Sequence, residues 1–172
     1  MALAYATSCR GGCHLNAWTL TKEVFAPKYD RFSTDGKAKL VLDLQNTRGV
    51  VDSLGACVFG TRAIGVKEMI SILALTTGRH LSSKELLHIG DRIYTLERQL
   101  AVRDGISRKD DTLPPRILEE KLPEVEGPHL EKKHLDKMLD EYYDLRGWSR
   151  DGRPKSGKLE ELGLANLLIG EL

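Results

Sequence analysis

Asp52-Ser-Leu-Gly-Ala-Cys57 places a carboxylate, a glycine and a thiol within six residues. A carboxylate can accept paired N–H donors from a nitrogen heterocycle, and a thiolate is a soft ligand suited to iron–sulfur. Gly55 lets main-chain amides face a ligand with no side chain in the way. The plainer reading of D-x-x-G-x-C is a turn before a buried cysteine, and the pattern alone leaves both open. Upstream, Cys9-Arg-Gly-Gly-Cys13-His14 sets a histidine beside a glycine pair. An imidazole can take up and release a proton near neutral pH, yet most single histidines are hydrogen-bonded structural residues. Cys9 and Cys13 have the spacing of one helical face. C-x-x-x-C falls short of the four ligands that zinc or iron–sulfur usually needs, and His80, His88, His129 and His134 add no companion pattern. Two buried or half-buried thiols is the plainer reading there.

Further along, Arg98, Arg103, Arg108, Asp110, Asp111 and Arg116 surround Pro114-Pro115 and read as a solvated loop fixed by internal ion pairs. Tyr142, Tyr143 and Trp148 read as core closure.

The elements that must position these residues are helical. Residues 1–46 are mixed, with a loop near Phe25-Ala-Pro-Lys28 and a turn signal at Asp35-Gly36. Val66, Met69, Ile70, Leu73 and Ala74 recur at helical spacing up to Gly78, a natural stop. Ser82 with Glu85 makes a capping box, and Ile89, Ile93, Leu96 and Leu100 repeat every three or four residues up to Gly105. Residues 105–130 hold four of the six prolines and predict a long ordered loop. Leu135, Met138, Leu139 and Tyr142 mark a further helix ending near Arg146-Gly147, with Lys133 and Lys137 near Asp136 and Glu141 as surface ion-pair support. Ser149–Gly157 is turn-rich, and a short apolar helix is expected from Lys158. No period-2 run demands a sheet. The expected fold class is all-α, an irregular helical domain with a long proline-rich loop, as a single domain over 1–172.

Composition narrows the function. The chain has 172 residues, 41% hydrophobic and 30% charged, with a net charge of +1. That size buries a substantial core, and the charge balance provides no field to recruit nucleic acid or an anionic membrane. No apolar run approaches a membrane span, and Met1-Ala-Leu-Ala-Tyr5 lacks the features of a secretory signal. Three cysteines disfavour a disulfide framework and fit a reducing cytoplasm. Scarce Asn and Gln beside abundant charge follow the thermophile bias.

Several segments, in order, resemble the C-terminal part of the tungsten- or molybdenum-pterin aldehyde:ferredoxin oxidoreductases. Ala4-Tyr-Ala-Thr-Ser8 leading into Gly11-Gly-Cys-His-Leu15 is similar to the family's segment near the metal, and Asp52-Ser-Leu-Gly-Ala-Cys57 to its second pterin motif. Gly90-Asp-Arg-Ile-Tyr-Thr-Leu-Glu-Arg98, Arg103-Asp-Gly105 and Asp110-Asp-Thr-Leu-Pro-Pro-Arg116 are similar to its helix and proline loop. Met138-Leu-Asp-Glu-Tyr-Tyr143, Arg146-Gly-Trp148 and Leu159-Glu-Glu-Leu-Gly-Leu164 are similar to its end.

The resemblance implies that Cys57 ligates a 4Fe-4S cluster, that Asp52 hydrogen-bonds a pterin, and that Gly55 and Ala56 line it. It also implies that His14 lies near tungsten or molybdenum and assists proton transfer as an aldehyde becomes a carboxylic acid. Electrons would then pass to ferredoxin. The position before Cys57 is commonly leucine in the family and is alanine here. The family's N-terminal β domain and middle helical domain, with a C-x-x-C-x-x-x-C set and another pterin motif, have no counterpart in the sequence. The expectation is a C-terminal fragment, a split-gene product or a truncated frame. It would be inactive alone, with an exposed apolar patch awaiting the missing domains, a partner chain or a second copy. The alternative is a non-catalytic helical interaction module derived from that family. A third reading, a thiol-dependent redox protein using Cys9 and Cys13, lacks the thioredoxin spacing.

Overall fold

Ser82 accepts the main-chain N–H of Glu85 at 3.2 Å while the Glu85 carboxylate accepts the N–H of Ser82 at 2.7 Å. This reciprocal cap starts the longest helix, Ser83–Arg103. In chain order the computed structural model contains α1 (Ala2–Ala6), α2 (Lys37–Ser53), α3 (Val66–Thr77), α4 (Ser83–Arg103), α5 (Pro115–Glu119), α6 (Lys132–Arg146) and α7 (Ser156–Glu161). A π-helical turn occupies Thr21–Phe25 and a 3-10 turn Arg108–Asp110. The structure describes residues 1–121 and 128–166. Among these residues the β-structure amounts to two isolated bridges, so the fold is all-α as expected.

α3 stops at Gly78 and α6 at Gly147, both in the left-handed region at φ 71° and 68°. Two short helical pieces interrupt the expected proline loop. Pro115 opens α5 at the first helical position, where a missing N–H costs nothing. Pro123 and the chain after residue 166 lie outside the described residues.

The largest departure is α2, a helix of 17 residues starting in the stretch read as mixed. It buries Leu40, Val41, Val50 and Val51 but also Lys37, Gln45 and Asn46, so its sequence shows no apolar stripe. It follows Gly36 at φ 72°, with no side-chain cap to announce it. α2 is the central helix, packed against α4, α6 and α1. A Cβ on Gly90 of α4 would lie 2.0 Å from the Asn46 carbonyl oxygen of α2, so glycine is what allows the two backbones to cross.

α4 does not bury the stripe its apolar residues predict. Ile89 and Leu100 are exposed, and the buried positions are Leu86, Gly90, Tyr94, Thr95 and Arg98. Several polar groups enter the core with partners in place, whereas the buried Thr95 hydroxyl and Trp148 indole N–H find none among the described residues. Gln45 donates to the Tyr94 hydroxyl at 2.8 Å and accepts from the Tyr142 hydroxyl at 2.7 Å. Arg146 donates to Gln45, Asn46 and Asp91 at 2.9, 2.6 and 2.7 Å.

The charged segment around Pro114 is likewise not wholly solvated. Arg98 and Asp111 form a buried two-pronged pair, both contacts 2.7 Å, beside the buried Tyr143 and Trp148. Tyr142, Tyr143 and Trp148 close the core as expected. A second, smaller core of Val50, Val51, Met69 and Leu86 seats α3 against α2 and α4. No described helix is long and apolar enough to cross a membrane.

Candidate functional site

Asp52 sits in the last turn of α2, which delivers its carboxylate to the surface with the side chain 46% exposed. Leu54 and Gly55 close the helix. The Gly55 N–H donates to the Asp52 carbonyl at 3.1 Å and the Ala56 N–H to Val51 at 3.2 Å, with Gly55 at φ 66°. The bend requires glycine, because a side chain in that conformation is strained. Ala56 rests against the smaller core, and Cys57 emerges exposed. Its carbonyl accepts the Thr61 N–H at 3.0 Å, folding the following residues into a turn. The main-chain N–H groups of Gly60 and Phe59 face the sulfur and hold the Cys57 thiol below its ordinary range, against a small opposing effect of burial. Asp52 and Cys57 are therefore both open to solvent, and the alternative of a turn before a buried cysteine fails here.

A cleft of about 230 Å³ opens beside Asp52, lined also by Arg10, Asn16, Arg48 and Glu97. Arg10 and Arg48 each stand 3.8 Å from the Asp52 carboxylate, on its two oxygens. Burial raises the Glu97 carboxyl above the usual range, with Arg10 opposing and Asp52 adding to the rise. Cys57 does not line this cleft.

His14 is exposed and meets Trp18 edge-on, ring centroids 5.3 Å apart. The two motifs are joined by Arg48, whose Nε–H donates to the Leu15 carbonyl at 2.9 Å. Its Asp52 contact lies on the same guanidinium. Arg48 precedes Asp52 by four residues, the one signal that could have marked it. Arg10 and Glu97 reach the cleft only through the tertiary fold.

Cys9 and Cys13 do not share a helix. The Cys13 N–H donates to the Gly11 carbonyl at 2.6 Å, and Gly11 has φ 84°, so the segment is an irregular turn. Burial pushes the Cys9 thiol up to about 12. Burial would also raise Cys13, but N–H donors from Leu15 and Asn16 and the Arg10 side chain bring it below the ordinary value. All three cysteines are free thiols.

Residues 1–164 match the family described as aldehyde ferredoxin oxidoreductase, domains 2 and 3. The chain is 39% identical over 173 residues to the tungsten-containing aldehyde ferredoxin oxidoreductase of Pyrococcus horikoshii, across 96% of this chain and 28% of that protein. The protein of the same name from Thermococcus kodakarensis is 38% identical over the same shares. An aliphatic sulfonate oxidoreductase, WOR-like subunit, of Pyrococcus furiosus is 29% identical across 94% of this chain and 24% of that one. The chain thus spans 28% of the length of the curated relatives it matches best among these. The active-site complex BamBC of benzoyl coenzyme A reductase superposes with a TM-score of 0.68 at 23% identity, over 82% of this chain and 21% of that chain. At that identity the likeness is one of fold alone.

Proposed function

The chain belongs to the aldehyde ferredoxin oxidoreductase family, and from that footing we propose that it supplies one wall of a metal–pterin pocket and one thiolate of a 4Fe-4S cluster. The enzyme so completed would oxidise aldehydes to carboxylic acids and pass the electrons to ferredoxin. The observation that carries this reading is the connection after α2, which presents the Asp52 carboxylate and the Cys57 thiol to solvent on either side of a glycine bend.

The donor set fits a shared site. Among the described residues no three His, Cys, Asp or Glu side chains gather to hold a metal. One exposed thiol under main-chain N–H groups fits a single corner of a cluster whose other ligands come from elsewhere. When bound, the metal–pterin centre supplies the two-electron redox chemistry. The chain's own residues do the positioning. Asp52 accepts N–H groups of the pterin, and the main chain at Gly55 and Ala56 lines it with little side-chain bulk. Cys57 ligates the cluster, and His14 holds or releases a proton at its imidazole nitrogen. The relatives' names favour tungsten over molybdenum. Free thiols suit a reducing cytoplasm.

A chimera tests this. The T. kodakarensis relative would carry this chain in place of its matched segment, with Cys57 intact or replaced by serine. The intact chimera is expected to show the iron content and visible absorption of a cluster, and Cys57→Ser to lose both. Unchanged iron and spectrum in the variant would overturn the assignment. The isolated chain, purified without oxygen, is expected to hold neither tungsten, molybdenum nor cluster.

A second reading, a non-catalytic interaction module, draws support from the exposure of Phe25, Phe59 and Leu75, at 70%, 65% and 87%. It predicts a chimera indifferent to Cys57. The same faces suit contact with the rest of the enzyme, with a partner chain that carries it, or with a second copy.

A further inference from the structure

Arg48 lines a second cavity, of about 330 Å³, between the π-helical turn, α2 and the residues after Cys57. Trp18, Leu44 and Phe59 form its apolar walls, Lys22, Arg48 and Arg62 bring three cations to it, and no carboxylate lines it. Of the acids nearest in sequence, Glu23 pairs with Lys37 and Asp43 with Lys39, while Asp52 stands 3.8 Å from Arg48 itself, so Arg48 is the partly compensated cation of the three. Among the described residues neither Lys22 nor Arg62 forms an ion pair.

Lys22 and Arg62, without an ion-pair partner among the described residues, and the partly compensated Arg48 leave the recess with an excess of positive charge that an anion offsets. Guanidinium and ammonium groups grip oxyanions by charge-assisted hydrogen bonds, and aromatic and aliphatic walls accept an apolar body. We propose that this cavity binds a small organic oxyanion, a carboxylate or phosphate carried on an apolar body of about one ring. The excess of positive charge rejects cations, and an aryl body gains from burial against the apolar walls what a bare ion, bound by the cations alone, does not. The site stands on the cavity alone and holds whether or not Asp52 and Cys57 serve a cofactor.

Trp18 reports on occupancy, because the other tryptophan, Trp148, is fully buried in the main core. The full chain is titrated with benzoate, phenyl phosphate, benzyl alcohol and inorganic phosphate while tryptophan emission is followed. Benzoate, phenyl phosphate or both should give a saturable change, the stronger one identifying the preferred oxyanion. Benzyl alcohol and inorganic phosphate should each bind at least about tenfold more weakly. Arg62→Gln and Lys22→Gln should each raise the Kd about tenfold with far-UV circular dichroism unchanged. If one variant misfolds, the other carries the comparison. The proposal falls if neither aryl anion saturates, if the alcohol or inorganic phosphate binds as well as the aryl anions, or if a folded variant binds like the parent.

Discussion

Arg48 in α2 donates its Nε–H to the main-chain carbonyl of Leu15 at 2.9 Å, across 33 residues of sequence. Its side chain is only 15% exposed, whereas the Asp52 side chain it approaches at 3.8 Å is 46% exposed. The hydrogen bond therefore carries more weight than the ion pair, which water and salt screen. Through it, the segment bearing His14 is tied to the helix that ends at Asp52.

Replacing Arg48 by methionine keeps the apolar stem and removes the donor. A charged-group hydrogen bond of this kind contributes about 1.5–3 kcal/mol, so Arg48→Met should lower the urea unfolding free energy by about 2 kcal/mol. Amide hydrogen exchange of residues 13–18 should quicken while α6 stays protected. Equal protection of residues 13–18 in parent and variant would show that the tie does not hold the segment.

Two glycines at the α2–α4 crossing should respond very differently to alanine. At Gly90 the new methyl meets the Asn46 carbonyl oxygen at 2.0 Å, which only a backbone shift can relieve. Gly90→Ala should cost about 3 kcal/mol or more. At Gly49 the closest atom is the Ile93 Cγ2 at 3.4 Å, an ordinary contact, and alanine gains about 1 kcal/mol of helix propensity. Gly49→Ala should leave stability within about 1 kcal/mol of the parent. Thermal unfolding of both variants compares them directly, and a stable Gly90→Ala would contradict the crossing.

How much the sequence reveals follows from how local each signal is. α4 is legible because its cap lies within four residues and its length within one periodic run. Its buried face is not, since Tyr94 and Arg98 enter the core only with distant partners, Gln45 and Asp111. α2 escapes notice because Lys37, Gln45 and Asn46 are buried by such partners and erase the apolar period. The Asp52–Cys57 bend is a contiguous motif and can be read directly. Arg10, Arg48 and Glu97 join it through folding, so composition around the motif does not point to them.

Glu23 gives a pH dependence of known sign. Burial would raise its carboxyl, but hydrogen bonds from Lys37 and Thr19, with the Met1 ammonium, overcome that and hold it at about 2 against an ordinary 4.5. Because the folded value lies below the unfolded one, the stabilisation is complete above about pH 5 and disappears as pH falls towards 2. Glu23→Gln should be less stable at neutral pH, and its stability should fall less steeply between about pH 5 and pH 2. Denaturant midpoints over that range measure the slope, and parallel slopes would remove Glu23 from the acid response.

The thiols should separate by accessibility. Cys57 is exposed, whereas burial pushes Cys9 up to about 12. In the metal-free chain at pH 8, iodoacetamide should label Cys57 readily and leave Cys9 until the chain unfolds. Peptide mass spectrometry against time gives the order. Labelling of Cys9 as fast as Cys57 in native buffer would mean that the turn at Gly11 opens freely.

The buried pair Arg98–Asp111 distinguishes a stabilising contact from a merely compensated one. Arg98 also donates to the Gly152 carbonyl at 2.8 Å, and Tyr143 donates to Asp111, so the pair joins α4, the proline segment and the turn after Trp148. Removing one partner strands the other charge without water. Asp111→Leu should therefore cost about 3–5 kcal/mol. Substituting both residues by apolar ones, Arg98→Met with Asp111→Leu, leaves no stranded charge and should cost clearly less than the sum of the singles. A double-mutant cycle by urea unfolding measures that coupling. Additive costs would mean that the two charges stabilise the fold independently, and that the proline segment is held by Tyr143 and Gly152 rather than by the pair.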